Sequence, residues 1–177
     1  ESLPSHTVEL KRKKFHTLNF GWDKYVYIVT KGLIMTVRSG EDGRFKGTGL
    51  YGQNSLIGFS GFYNVTKDVT CFALSQTTLK GIPTRYLDEL LLNNAQLCHE
   101  LLIYVSKRFV NVMDELEAST LLTLEDQIKS FEDSLEAIDL PDDLAVTETC
   151  IAMAIGAHPV SISRARKRIR DSQHIEE

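Results

Sequence analysis

The chain has 177 residues, 42% of them apolar and 25% charged, with a formal net charge of −4 at pH 7. That is enough chain for one large or two small domains with a real core, and the acidic balance excludes a protein that coats nucleic acid indiscriminately, leaving contact through one local patch. No apolar run approaches the ~20 residues of a membrane span, and the opening residues ESLPSHTVELKRKK lack the apolar stretch of a signal peptide, so a cytoplasmic location with no membrane contact is expected.

From Val8 to Ile82 the pattern is that of an all-β domain. VELKRKKF, YVYIV and LIMTV are rich in β-branched and aromatic residues, and most of the glycines, Gly32, Gly40, Gly43, Gly47, Gly49, Gly52, Gly58 and Gly61, fall between such runs. Short strands at this spacing imply a sandwich or a barrel. Cys71, Cys98 and Cys150 are scattered through the predicted strand and helices without CxxC spacing, and read as buried small hydrophobes rather than as a disulfide scaffold or a zinc site.

A metal-dependent enzyme of cupin type would use the same double-sheet architecture but needs His-x-His and a carboxylate converging from adjacent strands. His6 and His16 are too far apart for this, and His99, His158 and His174 lie on or beside predicted helices. There is no nucleophile elbow, no phosphate-binding Gly-Lys-Ser/Thr loop and no acid/base pair; Asp142-Asp143 and Glu176-Glu177 read as loop and tail charge. Neither an enzyme nor a cofactor is expected, and a cupin-like enzyme is the alternative.

A long helix follows. Cys98, Leu102, Val105, Phe109, Val112 and Leu116 recur at alternating steps of four and three, an apolar heptad seam suited to pairing with a copy of itself. Leu97, Leu101 and Tyr104 form a shoulder beside it that can serve an intramolecular contact. Charge then changes sharply: residues 1–113 carry 14 basic and 9 acidic groups, residues 114–146 carry one Lys against 11 acidic groups, and the remainder five against four.

The most informative segment is TETCIAMAIGAHPVSISRARKRIRD, from Thr147 to Asp171. Thr147 can cap a first helix whose Ile151 and Ile155 share a face, with Ala152, Ala154 and Ala157 keeping it thin for a close crossing. Gly156 ends that helix, Ala157-His158 make the turn, and Pro159 suits the first turn of a second helix, where its missing N–H costs nothing. The second helix has Ile162, Ala165 and Ile169 inward, Val160, Ser161 and Arg164 outward at its front, and Arg166, Lys167, Arg168 and Arg170 as a basic rear. This is the layout of a helix-turn-helix whose second helix lies in the major groove, front residues on base edges and basic residues on phosphates. Arg164 is placed for guanine O6 and N7, with Ser161 one turn away; His158, Val160 and Ser163 are further candidate contacts, and Arg166, Lys167 and Arg168 should act mainly on phosphates.

The segment GAHPVSISRARKRI resembles the recognition motif of bacterial regulators of the catabolite-activator and fumarate–nitrate-regulator (CRP/FNR) family. Upstream, YVYIVTKG resembles the family's strand ending in Lys-Gly, Glu41-Asp-Gly-Arg44 its hairpin turn, and Leu56-Ile-Gly58 the tip before its ligand cassette; the motifs run in the family's order from about Val8 to Asp171. The resemblance implies an α+β protein: a β jelly-roll, cyclic-nucleotide-binding-like sensor domain over 1–92, a dimerisation helix over 93–118, and a helix-turn-helix DNA-binding domain of winged-helix type over 119–177. The hairpin wing of that type has no counterpart before the chain stops at SQHIEE. Implied partners are a palindromic double-stranded DNA site, a second copy of the chain across the 98–116 seam, and RNA polymerase.

The same resemblance bears on the effector. Members that bind cyclic AMP use a Gly-Glu pair and, roughly ten residues on, an Arg-Ser pair, because the ribose hydroxyl needs a carboxylate and the phosphate a guanidinium. Here those positions read Gly58-Phe59 and Asp68-Val69, and the polar residues that reach adenine are replaced by Asp114 and Glu115, so cyclic AMP is not the expected ligand. Members near the N-cysteine iron–sulfur type are not matched either, for want of a cysteine cluster. Asn54 to Gly58 together with His158 resembles a branch that senses aromatic acids. In that case Phe59, Phe62, Tyr63 and Tyr104 line a pocket with Lys67 pairing a carboxylate; the alternative is a ligand-independent member regulated by a partner protein, with those aromatics filling the core.

Overall fold

The computed structural model of the chain describes residues 4–19, 25–41, 43–59, 68–144 and 146–173. Eight strands form among them: β1 (His6–Leu10), β2 (Phe15–Asn19), β3 (Tyr25–Lys31), β4 (Ile34–Ser39), β5 (Phe45–Tyr51), β6 (Leu56–Ile57), β7 (Asp68–Ala73) and β8 (Thr77–Pro83). They build two antiparallel four-stranded sheets with the orders β1-β8-β3-β6 and β2-β7-β4-β5. The chain crosses repeatedly from one sheet to the other, which is the jelly-roll form of the sandwich and not a closed barrel.

The β-rich run VELKRKKF spans the end of one strand and the start of the next. β1 pairs with β8 in the first sheet and β2 with β7 in the second. Between them Lys13 takes a positive φ of 60°, and its N–H donates to the Ala73 carbonyl at 2.7 Å. The reason is burial: Leu10 enters the core between the sheets, whereas the four basic residues Lys11 to Lys14 must stay in water, so the strand ends and turns the corner. At the β3–β4 turn Gly32 has φ 90°, and a Cβ there would meet the Gln76 carbonyl oxygen at 2.4 Å, so no other residue fits. In the β4–β5 hairpin the Gly40 N–H donates to the Arg44 carbonyl at 2.7 Å, closing the turn expected at Glu41–Arg44.

Side-chain alternation on β4 explains why it is buried on both faces. Ile34 points between the sheets to meet Leu10, Leu18, Val29 and Leu79. Met35 and Val37 point the other way, into a second cluster with Leu33, Phe72 and Leu74. The cover of that outer face comes from far along the chain: Leu135, Cys150 and Met153.

Five helices are described: α1 (Thr84–Asn93), α2 (Ala95–Leu121), α3 (Leu124–Glu136), α4 (Glu148–Ile155) and α5 (Pro159–Gln173). Side-chain caps start α2, α3 and α4, Asn94 accepting from Leu97 N–H, Thr123 from Asp126 N–H and Thr147 from Cys150 N–H. α2 is 27 residues long, about 40 Å at 1.5 Å per residue, and none of its residues is buried. Its shoulder side holds the sandwich: the Tyr104 hydroxyl donates to the Leu56 carbonyl at 2.9 Å and accepts from the Leu56 N–H at 3.0 Å. One turn on, Arg108 donates to the Thr48 carbonyl and lies over the Tyr51 ring. Cys71 and Cys150 are buried as expected, but Cys98 is exposed near the start of α2, where its thiol donates to the Leu91 carbonyl of α1 at 3.0 Å. Among the described residues no helix is long and apolar enough to cross a membrane.

Candidate nucleic-acid interface

α4 and α5 form the helical pair that the sequence pattern anticipates. Thr147 caps α4, and Gly156 ends it in the left-handed region at φ 81°, donating its N–H to the Ala152 carbonyl. His158 then caps α5: its Nδ1 accepts the Val160 N–H at 3.2 Å, which leaves the ring proton of a neutral imidazole on Nε2. Pro159 opens the helix where no N–H is needed. Ile162 and Ala165 are fully buried, packed with Ile151 and Ala152 of α4 and Ile128 of α3, while Ile169 is half-buried at the rim of the same cluster. On the opposite side Val160, Ser161, Ser163, Arg164 and Lys167 are exposed, as is His158 at the helix start.

The basic rear is not uniform. Arg166 donates to Glu132 Oε1 at 2.8 Å and Arg168, through Nε, to Glu125 Oε1 at 2.6 Å, both acids on α3. The Arg168 hydrogen bond holds the Glu125 carboxyl below the ordinary glutamate range. Two of the three side chains expected on phosphates are thus engaged within the chain. The acids lie 34 and 43 residues from their partners, so local charge counting misses them. Their spacing was the available clue: Glu125, Ile128 and Glu132 share one face of α3.

The helical pair is seated on the sandwich through a glycine. α4 crosses β5 at Gly47, where a Cβ would stand 2.9 Å from the Ala154 Cα and from the Met35 sulfur. Two residues on, Gly49 admits the Arg108 guanidinium. Gly47 pairs with Val37 and Gly49 with Thr36, so the two glycines flank a shift in the β4–β5 register, and each marks a close approach that turn composition alone does not suggest.

Along the seam side of α2, Leu102 and Phe109 are each 65% exposed and Leu116 is 55% exposed, with Val105 and Val112 exposed beside them. Together with Cys98 they form an exposed apolar stripe; the Cys98 thiol at its start donates to the Leu91 carbonyl at 3.0 Å, and Val112 and Leu116 at its end border a cavity of about 380 Å³ shared with Met35, Gly47, Phe131 and Ala154.

The residues expected around an effector are not brought together. Phe59 packs on Val26 and Leu87 near α1, Tyr104 is bonded to the Leu56 backbone, and Phe62, Tyr63 and Lys67 lie outside the described residues. A cavity of about 420 Å³ does open in the sandwich, lined by Thr36, Arg38, Thr48, Tyr51, Ile57 and Thr70 among others, and neither Phe59 nor Tyr104 borders it. His6 and His16 sit in different sheets, and the described residues contain no cluster of metal-ligating side chains.

No family model matches the chain, and no curated protein matches it. Solved structures do. The c-di-GMP-responsive global regulator CLP of Xanthomonas campestris superposes with a TM-score of 0.77 at 19% identity, over 96% of this chain and 88% of that one. A transcriptional regulator of the CRP/FNR family from Thermus thermophilus does so with a TM-score of 0.73 at 17% identity, over 94% and 87%. CprK complexed with OCPA gives 0.64 at 15% identity, over 94% and 80%. At these identities the likeness establishes a shared fold.

Proposed function

We propose that the chain is a dimeric, sequence-specific DNA-binding transcriptional regulator of the CRP/FNR type, not an enzyme, with α4 and α5 as its helix-turn-helix. The observation that carries this reading is the division of α5: Ile162 and Ala165 are buried against α3 and α4, while Ser161, Ser163, Arg164 and Lys167 face solvent, on a fold shared with regulators of that family. A major-groove helix needs such a division, with an apolar seat behind and base- and phosphate-seeking groups in front. The exposed seam of α2 supports a parallel two-fold dimer, which would present two copies of α5 about 34–36 Å apart on a palindromic site. A cytoplasmic location and contact with RNA polymerase at a promoter accompany this reading.

The division of labour within it is 1–92 as sensor, 93–118 as dimerisation helix and 119–177 as DNA-binding unit. The sandwich cavity supports control by a small molecule over ligand-independence, since Arg38 and the surrounding hydroxyls offer partners for an acidic ligand. Cyclic AMP is disfavoured because Phe59, at the position of the ribose-binding carboxylate, is an apolar side chain packed on Val26 and Leu87. An aromatic acid is the ligand class the resemblance supports, with Arg38 as the cation among the described residues.

Selection of preferred sites from random duplex DNA, by wild type and by Arg164→Ala, tests the reading. The variant should lose roughly 1–3 kcal/mol on the selected palindrome and lose preference at one base pair per half-site. Identical preferences for both proteins would remove Arg164 from base reading, and failure of the wild type to select any sequence would overturn the function.

A further inference from the structure

The acidic stretch from Asp114 to Asp143, with 11 carboxylates in residues 114–146, has no part in the function argued so far. Its α3 portion meets α5 in a defined way. Ile128 is fully buried against Ile162 and Ala165, and one turn to either side of it on α3 stand Glu125 and Glu132. Glu132 receives Arg166 at 2.8 Å and Glu125 receives Arg168 at 2.6 Å, so an apolar contact is flanked on both sides by a charge-assisted pair. Arg166 and Arg168 lie on opposite flanks of α5, while Arg164 and Lys167 lie between them on the outward side. The pairs are partly open to water: the side-chain exposures are 36% for Arg166, 40% for Glu132, 60% for Arg168 and 31% for Glu125, so phosphate oxygens could reach the same guanidinium groups.

We infer that Glu125 and Glu132 are resident counter-anions of the reading helix, which occupy Arg166 and Arg168 with carboxylate and so restrict the phosphate-binding charge of α5 to the side chains between them. This rests on the reading of α5 as a DNA-binding helix and adds a specificity device to it. Backbone phosphate contacts strengthen binding to every sequence equally, whereas base contacts discriminate. A helix carrying Arg164, Arg166, Lys167, Arg168 and Arg170 in the open would hold any duplex. With two of these neutralised by α3, a larger share of the remaining interaction falls to the residues that face the bases. The carboxylates are positioning residues, acting on DNA through the arginines they hold. Arg168 in turn holds the Glu125 carboxyl below its ordinary range, so that pair stays ionised through neutral pH.

The test is the salt dependence of binding to a random-sequence duplex and to a selected site, for wild type and Glu125→Gln/Glu132→Gln. Glutamine keeps the shape and removes the charge. Each arginine released to phosphate should steepen the dependence of log affinity on log salt by about 0.9, hence by up to about 1.8 for both. Affinity for the random duplex should rise about tenfold or more at low salt, with a smaller gain on the selected site, so that the specificity ratio falls. Each single variant should give about half the steepening, which keeps the test open if the double variant folds poorly. Selective binding with unchanged or shallower salt dependence in the variants would overturn this inference alone, by showing the pairs to be merely structural braces. Absence of DNA binding by every form at low salt would remove the reading of α5 and this inference with it.

Discussion

Gly47 of β5 lies against the backbone of Ala154 in α4, so close that a Cβ on the glycine would stand 2.9 Å from the Ala154 Cα and 3.2 Å from its carbonyl oxygen. The contact joins the outer face of the second sheet to the first helix of the pair proposed to read DNA. Both near atoms on the helix side are backbone, so neither can rotate away.

Gly47→Ala should therefore push α4 off β5 and cost about 1–3 kcal/mol, as overpacking of a fitted contact does. Urea unfolding followed by circular dichroism measures this; an unchanged midpoint would show that α4 is not seated there. Gly43→Ala is the control, since nothing lies within 4 Å of a Cβ at that turn, although its φ of 74° adds a small strain of its own.

Phe109→Glu should convert the protein to monomers in sedimentation equilibrium. Phe109 lies in the middle of the exposed seam, and a charge there would have to be buried unpaired in a dimer closed by α2. The helix itself should survive, because Tyr104 and Arg108 attach it to the sandwich from another side. A dimer that persists would move the interface elsewhere.

Thiol labelling of that monomeric variant should modify Cys98 first. Burial pushes the Cys71 thiol up to about 12, so almost no thiolate forms near pH 8, and Cys150 is buried in the core. Cys98 is exposed near the start of α2, so reagent reaches its side chain directly. Labelling of Cys71 at a comparable rate would contradict the packing of the sandwich.

In a melting-temperature screen cyclic AMP should produce no shift. A carboxylate-bearing aromatic ligand should raise the melting temperature by mass action, and Arg38→Ala should remove the rise. A rise that survives Arg38→Ala would relocate the anion site, while a rise with cyclic AMP would restore the nucleotide reading.

What could be read from residue order follows the range of the forces involved. The inward set of α5, Ile162, Ala165 and Ile169, was legible because helical periodicity is local, and Thr147, Gly156 and Pro159 were legible because caps and breakers act within one turn. His158 was singled out as a DNA contact, yet its Nδ1 is occupied in capping α5, a role the spacing of His158 and Val160 permits but does not announce. The corner at Lys13 has no local signal, because it is set by which sheet each flanking strand joins, a tertiary matter. The engagement of Arg166 and Arg168 is only partly legible for the same reason: the shared face of Glu125, Ile128 and Glu132 marks a stripe on α3 but does not name the helix packed beside it.

The cluster in which Leu33, Met35, Phe72 and Leu74 meet Leu135, Cys150 and Met153 bears on how such a chain can be taken apart. A jelly roll cut free after Asn93 would turn that apolar sheet face to water, and helices cut free before Leu124 would lose the surface that α4 rests on. Neither half is then a portable module. Grafting this sandwich onto a different DNA-reading unit would require transplanting the inner faces of α3 and α4 with it, so the two halves are expected to vary together, matched side chain for side chain across the junction.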